Sequence, residues 1–176
     1  GMDVVKKNIQ QIRGTIQIDT EKDKGTTISI ILPLTLAIID GIMFKVMNDD
    51  FVIPVTKANS IIALDGDELT EAIERDNYFY KNSVLPLVDL RNLFNIQGER
   101  PFVQNIIITT IKEQTFGLVI DEIIGQQQFV IKSLGELYKD VEGVSGATIK
   151  GDGSVALILD IISIFNMKKD LMKKYQ

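Results

Sequence analysis

The sequence contains one internal repeat, and this repeat limits the possible folds more than any other feature. Residues 51–55, Phe-Val-Ile-Pro-Val, correspond to residues 116–120, Phe-Gly-Leu-Val-Ile, at a spacing of 65. A second pair of stretches, at a spacing of 71, carries an Asp and a Phe at matching positions: Asp89 with Asp160, and Phe94 with Phe165. Because a repeated sequence usually indicates a repeated fold, we expect two small β subdomains, at about residues 42–97 and 102–159.

Short apolar runs separated by turn residues dominate the chain from about residue 36 and predict a mainly β fold. The predicted strands are 42–47, 51–55, 60–64, 77–80, 84–89, 102–111, 114–120, 128–133, 144–150 and 154–159. We also expect a short helix at 67–74 and a C-terminal helix at 160–174. Sheets this small have unprotected edges when flat, so we expect each five-stranded unit to curl into a small barrel that shares a core with its twin.

The first 35 residues follow a different pattern. Apolar spacing over residues 3–13 predicts a short helix that ends at Gly14, and alternation in 15–19 and 26–32 predicts a hairpin. One helix on two strands buries too little apolar surface to fold alone. We therefore expect a fragment that is either mobile or buries its apolar face on another chain. That face consists of Val5, Ile9, Ile16, Ile18, Ile28 and Ile30.

The composition excludes several kinds of chemistry. There is no histidine and no cysteine among the 176 residues, which removes imidazole and thiolate nucleophiles, metal sites built from those groups, and disulfides. A net charge of -5 argues against a nucleic-acid surface. The longest apolar run, 28–39, is too short to cross a bilayer. We expect no catalytic residue, cofactor or metal, and no insertion into a membrane.

Two repeated aspartates have two interpretations. Asp89 and Asp160 could act together as an acid–base pair, which needs two carboxyl groups with different pKa values. Both, however, stand where a predicted strand runs into a helix, which is the position of an N-cap that accepts backbone hydrogen bonds. We favour the caps.

Several stretches together resemble the C-terminal end of bacterial chemotaxis histidine kinases of the CheA type. Residues 25–39 are similar to that family's passage from the ATP-binding domain into the regulatory domain, and residues 85–91, Leu-Pro-Leu-Val-Asp-Leu-Arg, are similar to the signature of CheW-like domains. Residues 125–135 and 146–160 resemble the kinase's own CheW-like domain more than the free adaptor.

This resemblance implies a CheW-like regulatory domain in residues 36–176, made of two five-stranded, SH3-like β-barrel subdomains. It implies docking to the CheW adaptor and to chemoreceptor tips, at a cytoplasmic location beneath membrane receptor arrays. Residues 1–35 resemble the last helix and hairpin of a GHKL-type ATP-binding domain, without its nucleotide-binding boxes or a phosphoacceptor histidine. Two alternatives stay open: a stand-alone CheW-like adaptor, and a fragment that retains nucleotide binding.

Candidate partner-binding residues fall in three places. The run 60–64 lacks the polar alternation of a strand with one wet face, so its apolar side chains could form a patch. The other two places are a predicted turn at 125–127 and the start of the strand at 144. The candidates are Ile61, Ile62, Leu64, Gly125, Gln126, Gln127, Val144 and Ser145. An ordinary core or loop role is the alternative for each.

Overall fold

The computed structural model describes residues 1–12, 14–32, 37–132 and 140–174, with side chains to residue 169. The chain divides into two compact units, Gly1–Ala37 and Ile38–Gln176. Residue 133 of a predicted strand, and residues 33–36 and 133–135 of the family-like stretches, lie outside the described residues. No helix in the described ranges is both long and apolar enough to cross a bilayer.

The N-terminal unit contains the predicted helix and hairpin. Helix α1 spans Met2–Gln11, and strands β1 (Thr15–Glu21) and β2 (Gly25–Ile31) pair antiparallel. Cross-strand isoleucines share one face of this hairpin, and Ile18, Ile28 and Ile30 are 55%, 52% and 50% exposed. An apolar face is therefore uncovered within the unit, as the sequence predicts; its packing on another chain stays a prediction.

The larger unit contains ten strands and three α-helices in its described residues. In chain order they are β3 (Ile38–Val46), β4 (Asp49–Pro54), β5 (Ser60–Asp65), α2 (Gly66–Glu74), β6 (Asn77–Tyr80), β7 (Ser83–Asp89), α3 (Leu90–Leu93), β8 (Val103–Ile111), β9 (Gln114–Ile120), β10 (Glu122–Val130), β11 (Val144–Ile149), β12 (Val155–Leu159) and α4 (Ile161–Lys174). The mainly β prediction, the short helix and the C-terminal helix are confirmed.

One predicted turn is wrong. Residues 125–127 are not a turn before a strand but lie inside β10, which begins at Glu122. The strand pairs with β3 along its whole length, with a register shift between Ile123 and Gly125. Exposed glutamines after a glycine are typical of a loop in sequence, but an edge strand can carry the same residues because one side of it faces water.

The strands form two five-stranded sheets with one common pattern. The first sheet has the order β10-β3-β4-β12-β11, and the second has the order β5-β8-β9-β7-β6. In each sheet a central hairpin lies beside a parallel strand that belongs to a second hairpin. The parallel pair Val52–Ile158 corresponds to the pair Gly117–Leu87 at the two spacings of the sequence repeat.

The two halves of the sequence exchange strands, which corrects the expected subdomain ranges. The first sheet takes β3 and β4 from residues 38–54 and its other strands from residues 122–159, while the second sheet takes β5 to β7 and then β8 and β9. Neither sheet therefore coincides with 42–97 or 102–159. Equivalent strands in the two halves have the same apolar pattern, so the pattern identifies the strands without identifying their partners.

Aromatic pairs in the core follow the repeat. Phe51 stacks on Phe94 with 5.4 Å between ring centroids, and the equivalent Phe116 lies 5.2 Å from Phe165. The largest buried cluster combines side chains from both sheets with Leu90 of α3 and with residues of α4. The two sheets therefore share one core, in which Phe94 at the end of α3 and Phe165 of α4 each pack on a phenylalanine of the sheet that their helix does not follow.

The sheets close differently. In the first, Lys132 exchanges two backbone hydrogen bonds of 2.8 and 3.1 Å with Ala147 of β11, so the chain after β10 meets the other edge of the sheet. In the second, α2 lies between β5 and β6 in sequence and buries Leu69 and Ala72 in a core with Leu85. A backbone bridge therefore joins the two edges of the first sheet, whereas α2 packs against the second sheet.

Candidate functional site

The sequence-predicted partner residues lie on three of the four edge strands. Strands β5 and β10 occupy equivalent edges of the two sheets, and β11 is the other edge of the first sheet. Ile61 is 40% exposed on β5, whereas Ile62 is half-buried against the core. Leu64 is 4% exposed and belongs to that core. Its expected place in an exposed patch is wrong, because β5 does alternate, with the small Ala63 at an exposed position.

The remaining candidates lie in the first sheet. Gln126 and Gln127 are exposed, and Gly125 is half-buried beside a bulge that leaves Ile124 49% exposed. On β11, Val144 is half-buried and Ser145 is exposed at a second bulge. The structure thus places these candidates on the two edges of the first sheet, whereas the β5 candidates lie on an edge of the second sheet.

Sequence reasoning missed a pair of exposed apolar side chains that occurs once in each sheet. Phe79 of β6 and Val84 of β7 are directly opposite each other and are 67% and 65% exposed. Ile149 of β11 and Val155 of β12 are also directly opposite and are 52% and 42% exposed. Val84 and Val155 are related by the spacing of 71, which was the signal that could have located both pairs.

A buried polar cluster was missed as well. Arg91, 4% exposed, forms a two-point ion pair with Asp121, 9% exposed, through contacts of 3.0 Å (Nε to Oδ1) and 2.5 Å (Nη2 to Oδ2). The Asp121 carboxylate also accepts hydrogen bonds from Gln104 Nε2 at 2.5 Å and from the backbone N–H of Met47 at 2.6 Å. These contacts link α3, β8, the end of β9 and the β3–β4 turn.

The same cluster extends to Asp89 through a second arginine. Asp89 accepts the backbone N–H of Arg91 at 3.0 Å and a hydrogen bond from Arg100, whose other nitrogen donates to Gln104 at 3.2 Å. The predicted N-cap role of Asp89 is confirmed. Asp160 is also a cap, since it accepts the backbone N–H groups of Ile162 and Ser163. The two carboxylates act as caps in equivalent places rather than as one catalytic pair.

The ion pair occupies only one of two equivalent junctions between the halves. At the spacings of the repeat, Arg91 corresponds to Ile162 and Asp121 corresponds to Thr56. Both of those residues are exposed. Beside the ion pair lies a cleft of about 630 Å³ between the sheets, lined among others by Lys45, Met47, Arg100, Val103 and Glu122.

The hairpin β11–β12 also carries a charged contact. Lys150 pairs with Asp50 at the start of β4, and this hydrogen bond is the main reason that the pKa of Lys150 is raised. Asp152 in the same turn accepts hydrogen bonds from the hydroxyl and the backbone N–H of Ser154, which lower its pKa. On the other hairpin, the hydrogen bond from Tyr78 to Glu68 raises the pKa of the Tyr78 phenol.

The acidic side chains of the described ranges form no group of three or more that could hold a metal ion. Asp89 and Asp121 are occupied by arginine partners. What the larger unit offers to solvent is therefore edge strands, two apolar pairs and a cleft between its sheets. Such a surface suits binding to another macromolecule better than chemistry on a small substrate.

Comparison with known proteins agrees with this architecture. Residues 40–169 match the family described as "CheW-like domain". The chain is 36% identical over 173 residues to the chemotaxis protein CheA of Salmonella typhimurium and 35% identical over 173 residues to the sensor histidine kinase CheAY of Helicobacter pylori; each alignment covers 97% of this chain. These alignments cover only 26% and 22% of the relatives, so the chain spans about a quarter of their length.

A solved structure shows the same fold. The scaffolding protein TtCheW from Thermoanaerobacter tengcongensis superposes with a TM-score of 0.59 at 17% identity, covering 71% of this chain and 90% of that one. The resemblance to CheA-type kinases noted in the sequence is confirmed by these two matches, each of which covers 97% of this chain. The family match covers most of the chain, and the matched residues form the two strand-exchanged sheets. This chain therefore belongs to the family of CheW-like domains.

Proposed function

We propose that the chain is a regulatory docking module of a chemotaxis histidine kinase. It binds a CheW adaptor and, with it, chemoreceptor tips, so that receptor state is coupled to kinase activity at receptor arrays. The CheA and CheAY relatives support the kinase context, and the CheW-like fold supports a scaffold role.

The observation that carries this proposal is the exposed apolar pair on the last hairpin of each sheet. Phe79 with Val84, and Ile149 with Val155, are cross-strand neighbours on solvent-exposed positions beside an edge strand. Cross-strand apolar pairs gain stability when a partner removes them from water. Two equivalent pairs give the module two equivalent docking hairpins, which suits a scaffold with more than one contact.

We infer that the chain does not catalyse a reaction itself. The buried carboxylates of Asp89 and Asp121 are engaged by arginines, and Asp121 also accepts a hydrogen bond from Gln104, so neither of them is a free base. The N-terminal unit fits the end of an ATP-binding domain, because its exposed isoleucine face lacks the remainder of a core. The boundary between the units, after Ala37, falls close to the expected end of that segment at residue 35.

Calorimetric titration with purified CheW adaptor tests the proposal. Val84→Asp and Val155→Asp each place a charge in one apolar pair, and we expect at least one of them to weaken binding by about tenfold or more, as for a centrally placed interface residue. Thr115→Asp, at an exposed position of the β8–β9 hairpin, is the matched control and should leave the affinity unchanged. Unaltered affinity for both valine variants would exclude the two hairpins as docking surfaces.

The partner-binding residues predicted from the sequence supply a second set of variants. Ile61→Asp, Gln126→Ala with Gln127→Ala, and Ser145→Ala probe the edges β5, β10 and β11 in the same titration. A chain that begins at Ile38 separates the contribution of the N-terminal unit. Equal binding by the shortened chain assigns docking to the two sheets, and loss of binding assigns part of it to residues 1–37.

A further inference from the structure

The two halves of the larger unit are joined by an exposed segment, residues 97–102, which we name the connector. We propose that residues 38–96 and 103–169 are exchangeable halves, and that the connector is a hinge through which a second copy of this chain can supply one half. The product is a strand-exchanged dimer. This inference concerns the chain's association with itself and is independent of adaptor docking.

The sheets provide the first argument. In each sheet the two halves meet along the same kinds of interface: β3 with β10, β4 with β12, β5 with β8, and β7 with β9. Every one of these pairings joins one half to the other. An interface between two segments of one chain can form equally between two copies when the hinge opens, because the same contacts are made.

The connector supplies the second argument: Phe94 and Ile96 before it pack on the shared core, whereas the connector itself is held by hydrogen bonds, including one of 3.2 Å from the backbone N–H of Gly66 to the carbonyl of Phe102. Arg100 reaches from the connector to Asp89 in one half and to Gln104 in the other, and the carbonyl of Gly98 accepts a 2.9 Å hydrogen bond from Arg91. Gly98 itself has a φ of 143°, a conformation that favours glycine. We name the Arg100 and Gly98 contacts the latch.

The latch and the Arg91–Asp121 ion pair respond differently to exchange. Arg91 belongs to one half and Asp121 to the other, so their ion pair forms in the monomer and, between copies, in the exchanged dimer. Arg100 belongs to the connector itself, whose path changes when the hinge opens, so we expect an extended connector to break its contact with Asp89. Loss of Arg100 therefore penalises the monomer alone, whereas loss of Asp121 penalises both forms equally.

The experiment measures the equilibrium ratio of dimer to monomer after refolding of the full chain at high concentration, by size-exclusion chromatography with light scattering. We expect Arg100→Ala to raise this ratio by about tenfold or more, the effect of losing a charge-assisted hydrogen bond in one form only. Asp121→Asn is the matched control and should lower the denaturation midpoint without changing the ratio. If Arg100→Ala does not fold, Arg100→Gln makes the same comparison.

Disulfide trapping identifies the kind of dimer, since the natural chain contains no cysteine. Asp40 and Gln128 are exposed residues directly opposite each other in the β3–β10 pair, one in each half. Chains carrying Asp40→Cys and chains carrying Gln128→Cys, refolded together in the Arg100→Ala background, should form an interchain disulfide. Thr110→Cys and Thr115→Cys chains are the control, because these opposed residues lie within one half and cannot be joined between copies by exchange.

Two results would overturn the proposal. One is a ratio that stays within about twofold of the unaltered chain in both Arg100 variants, since the latch would then have no influence. The other is a dimer that yields no Asp40–Gln128 cross-link between chains, because such a dimer associates through intact surfaces, for example the exposed face of the N-terminal unit.

Discussion

The two sheets of the larger unit have the same strand order, the same parallel register and equivalent phenylalanine pairs, but equivalent positions at the two junctions between the halves carry different side chains. At one junction Arg91 and Asp121 are buried as an ion pair, and at the other Ile162 and Thr56 are exposed. Strand pairing and a shared core are thus sufficient to form the same sheet twice. The buried ion pair is an addition that the fold itself does not require.

Forming a buried ion pair and removing one of its partners change the free energy of unfolding by different amounts. Forming a buried ion pair contributes little net stability, because desolvation of both charges offsets their attraction. Removing one partner is costly, because the other is left buried and uncompensated. The Asp121 carboxylate accepts hydrogen bonds from three residues, Arg91, Gln104 and Met47, so it is held in place rather than simply neutralised.

The largest expected effect comes from removing one partner of the ion pair that distinguishes the two junctions. Arg91→Ala should lower the free energy of unfolding by about 3–5 kcal/mol, because Asp121 stays buried without its counterion. Ile162→Ala, the same substitution at the equivalent position, should change it by less than about 0.5 kcal/mol, since that side chain is half exposed. Urea denaturation of both variants measures the difference, and equal losses would contradict the assigned role of the ion pair.

A smaller effect distinguishes the two helix caps. Asp160→Ala should cost about 1 kcal/mol, the usual value of an N-cap. Asp89→Ala should cost about 2 kcal/mol or more, because it removes a cap and also the partner of Arg100. Thermal or urea unfolding of the two variants gives the comparison. A larger loss for Asp160→Ala would show that the Arg100 contact adds nothing to the cap.

The smallest effect concerns pH at the β11–β12 turn. The pKa of Lys150 is raised above its ordinary 10.5 chiefly by its hydrogen bond to Asp50, so the stability from this pair is complete below pH 10.5 and is lost as the pH rises through the folded-state value. The pKa of Asp152 is lowered below 3.8 chiefly by the Ser154 hydroxyl, so its contribution is present above pH 3.8 and is lost as the pH falls through the folded-state value.

Melting temperatures across these two pH ranges test both signs. Lys150→Gln should remove part of the alkaline loss of stability, and Asp152→Asn should remove part of the acidic loss. Lys112→Gln, in the exposed β8–β9 turn, serves as the control and should leave both profiles unchanged. A Lys150→Gln profile identical to that of the unaltered chain would show that the Asp50 pair is not formed in solution.

The strands, the repeat and the caps could be predicted because each depends on local pattern. Phe51 and Phe116, for example, mark equivalent strands by type and spacing alone. The partner of each strand could not be predicted, since β4 could pair with β7 or with β12 on the same pattern. The exposure of Leu64 was predicted wrongly. The exposed position before it holds Ala63, an apolar residue, so β5 does not alternate between apolar and polar residues in the sequence. Arg91 and Asp121 are thirty residues apart and meet only through the exchange.

Strand exchange also determines when the chain can fold during synthesis. Val52 of β4 pairs with Ile158 of β12, so the first sheet has no complete form until β12 has left the ribosome. The second sheet likewise waits for β8 and β9. Pairings between distant residues slow folding, and an unfinished chain presents unpaired strand edges while it waits. We therefore expect neither half to gain protection from proteolysis on a stalled ribosome until the other half has emerged.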